Sequence, residues 1–452
     1  MAASAEPSVS RQLADAMHGL PFEALPGEVI EHARWLAVDT RMVALAGAAQ
    51  PDVEAVAALI RRNGGVAQSP LWRCGTRVPA AEAAFVNALA ASALDYDSLH
   101  ENVHPDAIVL AAASAVAAAV HADGRELARA YVLGSELVCR LANAATGPQK
   151  GWTLGAVLGT FGAAMAASLL LKLAPQRATH ALGLCLSMAA GSQQTNVEQV
   201  LAKRLQPALA ARHGVQAAQL ASVGITAPAQ AFEGRFGLWT LYFEGDRHRL
   251  LDGLGDRFAL LRTGLKRYPV CACSHAAMEA LHEALRDGRI GPDEIEAIEV
   301  AISPFVARLV GGPFQPEANP QVTAQFSLQY ALASIALRGR LAVAELATEA
   351  VQDARIADLV RRIVVIVDAS NPNELAPATV RVVARGGRDV VRTVAHMPGG
   401  PEAPLTAAAA RAKWLECAAA AGAGRPEDML EGVEREWSAR ALAVAGEAGT
   451  RG

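Results

Sequence analysis

Residues Trp152 to Leu171 read WTLGAVLGTFGAAMAASLLL, an uncharged run held between Lys150 and Lys172. Such a run is long enough to cross a bilayer, so the fold class turns on whether it is a membrane span or a core helix. Gly151, Gly155, Gly159 and Gly162 recur at three- and four-residue spacing, which leaves one helix face as bare backbone and lets neighbouring helices approach closely. The other apolar runs are short and broken by charges, and one central span would split a domain. The sequence therefore predicts a buried helix of a soluble helical domain, with no membrane association.

The surroundings agree with that reading. From Met1 to about residue 262 the periodicity is helical in PGEVIEHARWLAVDTRMVALAG, PDVEAVAALIRRNGG, VPAAEAAFVNALAASAL and PQRATHALGLCLSMAAG, separated by Gly, Pro and Asn, and no strand stands out. Abundant Ala and an aromatic content of 5% imply tightly packed helices with small contact residues. Beyond residue 265 the pattern changes. EIEAIEVAIS (294–303), RRIVVIVD (361–368), TVRVVAR and DVVRTVAH alternate in polarity and are rich in β-branched residues, the last two joined by Gly386-Gly387-Arg388 as a hairpin. Helical runs such as HAAMEALHEALRDG, QVTAQFSLQYALASIALRG and AELATEAVQDARIADLVRR lie between them. A chain of 452 residues exceeds what one core supports. The expected architecture is mainly α: a large all-α domain (1–262), a smaller α+β lid domain (263–396), and a C-terminal helical return to the all-α domain (397–452) after the Pro/Gly-rich MPGGPEAP.

Composition narrows the function classes. The formal net charge is −4 and Lys and Arg are dispersed, so there is no electrostatic case for a nucleic-acid partner. Six cysteines without a disulfide-like framework suit a reducing compartment, and the acid-containing N-terminus lacks a signal-peptide core. These features predict a cytoplasmic protein.

Titratable groups crowd into residues 86–110, VNALAASALDYDSLHENVHPDAIVL, where an Ala-rich helix delivers Asp95, Asp97, His100 and His104. Buried without partners such groups are costly, which favours a catalytic reading; a capped helix end with solvated histidines is the competing one. His100 and His104 at i, i+4 with Asp97 also raise a metal set, although Pro105 follows at once. A second cluster is YPVCACSH. Cys271 and His275 could form a nucleophile–base pair, but no orienting third group is visible, and C-x-C-x-H is too compact to close a tetrahedral metal site. No metal and no cofactor are expected.

Five segments in order, LDYDSLHENVHPDAIVLAAASAVA, GWTLGAVLGTFGAAMAAS, KRLQPALAARHGVQAAQLASVGITAP, KRYPVCACSHAAMEA and QFSLQYALA, resemble the MmgE/PrpD family. Its members include 2-methylcitrate dehydratase, aconitate decarboxylase and iminodisuccinate epimerase. The resemblance implies a helical domain with a smaller lid, a homodimer, and an active site in the cleft between the two domains. It carries catalytic positions onto Asp95, His104, Lys203 and Lys266. The family's chemistry, as implied, is proton movement next to a carboxylate, which requires cations where charge develops and a group that titrates near neutrality. Lys203 and Lys266 fit the first need, helped by Arg204, and His104 the second, with Asp95 orienting it or binding substrate.

Departures from the pattern bear on substrate. Leu99 stands where the decarboxylase has Thr, Thr153 follows Gly151-Trp152 where the motif has His, Leu309 falls on or near a Tyr position, and Cys271 replaces His. The implied pocket is less polar, lined by Leu99, Thr153 and Cys271, with His275 as a further substrate contact. The expected function is a cofactor-independent lyase or isomerase acting on a small carboxylic acid. The alternatives are a strict 2-methylcitrate-type dehydratase, a small-acid-binding relative without turnover, and a metal hydrolase using His100 and His104.

Overall fold

The computed structural model describes residues 6–147 and 150–437, so the first five residues and residues 438–452 of the expected C-terminal return lie outside the described residues. The Gly-rich run forms the helix Leu154–Leu170, buried along nearly its whole length. It packs against Pro105–Val120, Gly124–Ala144 and Ala202–Ser222. The glycines explain how. A Cβ on Gly162 would lie 2.7 Å from the Gly134 carbonyl oxygen, and one on Gly134 would lie 2.8 Å from that of Gly162. Two backbones therefore touch where any side chain would force them apart. No single helix among the described residues is long and apolar enough to cross a membrane.

The fold is mainly α, a large helical domain with a smaller α+β domain. Helices Gly27–Gly47, Ala80–Ser92 and the four above share one hydrophobic core, and Ala407–Ala420 and Pro426–Glu436 join it through Trp414, Cys417, Leu430 and Val433. A second core lies under a four-stranded sheet. Its strand order is Ile363–Val367, Ile295–Ile302, Ala378–Ala384, Arg388–Val394, with the first pair parallel and the others antiparallel. Helix His275–Gly288 covers the last two strands and itself packs on Leu328–Arg338. Inward-facing Ile298, Val300 and Ile302 show the period-two burial that the sequence suggested, and Ile295 joins them one residue out of step across a bulge.

Three details differ from the sequence reading. Ala384 pairs with Arg388, so the hairpin connection is Arg385-Gly386-Gly387, one residue earlier than expected; both glycines take the left-handed φ that the turn requires. The run 321–339 breaks after Gln325, because the Ser327 hydroxyl accepts from the Tyr330 amide and starts a new helix, Leu328–Arg338. Among the described residues the first 262 do contain strands, but only as two-residue ladders, Ser69–Pro70 with Arg77–Val78 and Ala145–Thr146 with Glu244–Gly245. Two residues are too few to show a periodicity.

Candidate active site

Residues 93–104 connect Ala80–Ser92 to Pro105–Val120 and are buried except at Glu101, Asn102 and His104. The loop is stitched to residues 263–267: Leu99 and Gly264 exchange both backbone hydrogen bonds, at 3.0 and 2.8 Å, and the Tyr96 hydroxyl donates to the Arg267 carbonyl. Gly264 permits this because a Cβ there would collide with the backbone of Gly399 in the connector to the C-terminal helices. Three segments distant in sequence thus meet at one point.

Asp95 sits there in the left-handed region, φ 49°, a conformation a non-glycine residue holds only when its surroundings impose it. Lys203, at the start of Ala202–Ser222, donates to one carboxylate oxygen. Lys266, 1% exposed, donates to the other at 2.9 Å and to the Asp95 carbonyl at 2.8 Å. Burial by itself would raise the Asp95 carboxyl, but Lys203 and Lys266 override it and hold the group well below the usual carboxylate range. The same pairing keeps Lys266 above its ordinary value despite its own burial. Lys203 also lies 4.7 Å from the centre of the Phe326 ring, the residue at which the 321–339 run breaks.

His104 caps the helix Pro105–Val120 with its backbone, not its side chain. Its Nδ1 lies 2.8 Å from the Ser98 carbonyl oxygen and 3.4 Å from an Asp97 carboxylate oxygen. A carbonyl only accepts, so Nδ1 carries the proton and Nε2 the lone pair. Ser98 is itself anchored, its hydroxyl donating to Asp106, which also accepts from Tyr131 at 2.6 Å and Ser135 at 3.1 Å. Burial pushes the imidazole down; Asp97 opposes this and Lys266 adds to it, so the ring is neutral near pH 7.

Asp95, His104, Lys203 and Lys266 line one cavity of about 150 Å³, together with Leu99, Thr153 and Cys271. Phe305, Leu309 and Cys273 enter from the second core, and Phe326 lines the wall beside them. Cys271 is pulled down by a hydrogen bond with Cys273, against its burial. The Thr153 hydroxyl, at the start of Leu154–Leu170, has no partner and caps nothing.

Two residues expected at the substrate are elsewhere. Arg204 is spent on Asp52, at 3.0 and 3.1 Å, and on Gln321 and Gln325; since the Gln325 carbonyl accepts from the Cys271 amide at 2.9 Å, Arg204 braces the wall instead of facing the cavity. His275 is fully buried beside Tyr268, with Nε2 3.2 Å from the Val270 carbonyl oxygen, and burial followed by Lys266 lowers it to about 3. His100 turns away from His104 as well, its ring bonded to Asn143 at 2.9 Å and facing Thr263. Among the described residues no three His, Cys, Asp or Glu side chains converge as a metal-binding group.

Family models for the MmgE/PrpD N-terminal and C-terminal domains match residues 11–251 and 268–439. The chain belongs to the MmgE/PrpD family. It is 28% identical over 353 residues to cis-aconitate decarboxylase of Homo sapiens, covering 74% of this chain and 72% of that protein. A cis-aconitate decarboxylase-like protein of Aspergillus oryzae is 25% identical over 443 residues, 91% of each chain, and cis-aconitate decarboxylase of Aspergillus terreus is 24% identical over 437.

Leu99, Thr153, Cys271 and Leu309, the four positions expected from the sequence to depart from the family motif, all line the cavity. Sequence reasoning missed Phe305, Phe326, Ile108 and Leu375, which complete its apolar wall. The break after Gln325 was the available signal for Phe326; the others lie on ordinary apolar positions that nothing distinguishes from core.

Proposed function

We propose that this MmgE/PrpD protein is a lyase that removes a proton next to the carboxylate of a small organic acid, in the cleft between its helical and α+β domains, without a cofactor. The observation that carries this reading is the pairing of a neutral His104, its proton fixed on Nδ1, with Lys203 and Lys266 around one cavity. Nε2 takes the proton from carbon. The electron pair delocalises onto the substrate carboxylate, where Lys203 and Lys266 hold positive charge ready. Lys203 spends one donor on Asp95 and Lys266 two, so each of these three-donor ammonium groups retains capacity for substrate. Asp97, 3.4 Å from Nδ1, stabilises the imidazolium that forms. The imidazolium then returns its proton to the departing group: with a β-hydroxyl, the C–O bond breaks as the C=C bond forms and water leaves. Relatives named as decarboxylases support a lyase, and the family resemblance supports a homodimer.

The test is exchange of α-protons from small acids in deuterated buffer, followed by NMR. The wild type should exchange, and His104→Gln should lose about 10²–10⁴-fold of the rate. The acid limb of kcat/KM should fall below the ordinary histidine value of about 6.5, because burial holds His104 down. Unchanged exchange in His104→Gln sinks the assignment.

A further inference from the structure

We infer that the cavity is built for a short aliphatic monocarboxylate, in contrast to the cis-aconitate of the named relatives; the inference rests on the α-proton chemistry proposed above. The lining contains two cationic side chains, Lys203 and Lys266, and both already share the Asp95 carboxylate. One positive charge remains to be met, which is the charge of one substrate carboxylate. Cis-aconitate carries three.

Among the described residues no other Lys or Arg lines the cavity to meet the remaining two. Arg204 is committed to Asp52, and Arg262 is an exposed residue paired with Glu402 and Glu101 outside the cavity wall. A second carboxylate would instead face apolar Leu99, Ile108, Leu309 or Leu375, or the neutral amides of Asn102, Gln193 and Asn196, none of which carries a positive charge. Burying an anion without a cationic partner is strongly unfavourable.

Size agrees with charge. A cavity of about 150 Å³ is comparable to one that holds a benzene molecule, about half the bulk of a six-carbon tricarboxylate. Polar specificity beyond the carboxylate is supplied by the side-chain amides of Gln193 and Asn196 in the lining, which suit one substrate hydroxyl or carbonyl. The ligand class is therefore an acid of about four or five carbons with one carboxylate, one neutral oxygen substituent and an apolar end.

The full chain should be tested with 3-hydroxybutanoate, methylsuccinate and cis-aconitate, reading both melting temperature and α-proton exchange. The expected result is a rise in melting temperature with the monocarboxylate at concentrations at least about tenfold below those needed for the other two. Equal or better stabilisation by the di- or tricarboxylate, or none by any probe, overturns the monocarboxylate class. Stabilisation by the monocarboxylate without exchange keeps the class and sinks the α-proton chemistry, so the two readings fail separately. Leu309→Arg adds a cation to the apolar wall and should move preference toward methylsuccinate by about tenfold. A folded Leu309→Arg protein that still ignores the dicarboxylate counts against charge as the determinant.

Discussion

Two buried aspartates are held by lysines on either side of Tyr96, and they do different things. Asp95 takes Lys203 and Lys266 and opens onto the cavity. Asp39, fully buried in Gly27–Gly47, takes Lys413 at 2.8 Å and the Trp414 indole N–H at 2.8 Å, sealed inside the helical core. Lys413 also donates to the Tyr96 carbonyl at 2.9 Å and lies 4.2 Å from the centre of its ring, so the sealed cluster grips the same loop that carries the open one. The open cluster has one cation more than its own carboxylate needs. The sealed one is balanced, and its spare hydrogen bond goes to backbone. Excess charge kept near solvent serves a ligand, whereas balanced charge kept dry serves to fix a loop.

The largest effect should come from breaking the sealed pair. Lys413→Met leaves Asp39 buried with the indole as its remaining partner and strips the Tyr96 carbonyl, and should cost about 3–5 kcal/mol in urea denaturation. Adding Asp39→Leu should restore much of that stability, since a well-packed apolar pair can replace a buried ion pair. If the double variant is as unstable as the single, the cost lies in packing and not in the orphaned charge. Lys203→Met probes the open cluster, where Lys266 still pairs with Asp95. Turnover should fall by about 10²–10³-fold, with a smaller loss of stability than in Lys413→Met. A stability loss as large as that of Lys413→Met would make the two clusters equivalent and undo the contrast.

The open cluster was far more legible in the sequence than the sealed one. LDYDSLHENVHPD concentrates acids and imidazoles beside a greasy helix, and the order of motifs pointed onward to Lys203 and Lys266. Lys413 sits in AAAARAKWLECAAA, where a lysine looks like an ordinary solvated helix position; only its contact with Asp39, more than 370 residues away, gives it meaning. Helix and strand periodicity located the two cores because burial repeats along each element. Which partner a polar group meets does not repeat, so Arg204 and His275 were read from local motif context as substrate contacts while the fold turned both toward protein.

The contrast can be sharpened by pH, because the two carboxyls are displaced in opposite directions. Asp95 lies below its unfolded value, since its lysines outweigh the cost of burial. Its contribution to stability is full above about pH 4, the unfolded carboxyl range, and is lost as pH falls. Asp39 lies above its unfolded value, since burial outweighs Lys413 and Trp414. The folded state holds that proton more tightly than the unfolded chain, so its contribution is full below about pH 4 and is lost as pH rises through the raised folded value. Denaturation of the wild type, Asp95→Asn and Asp39→Asn between pH 3 and 7 reads this directly. The stability gap between wild type and Asp95→Asn should widen with rising pH, and the gap for Asp39→Asn should move the other way. Gaps that run in parallel would mean that both aspartates feel the same balance of burial and charge, and that the cavity on one side of Tyr96 makes no electrostatic difference.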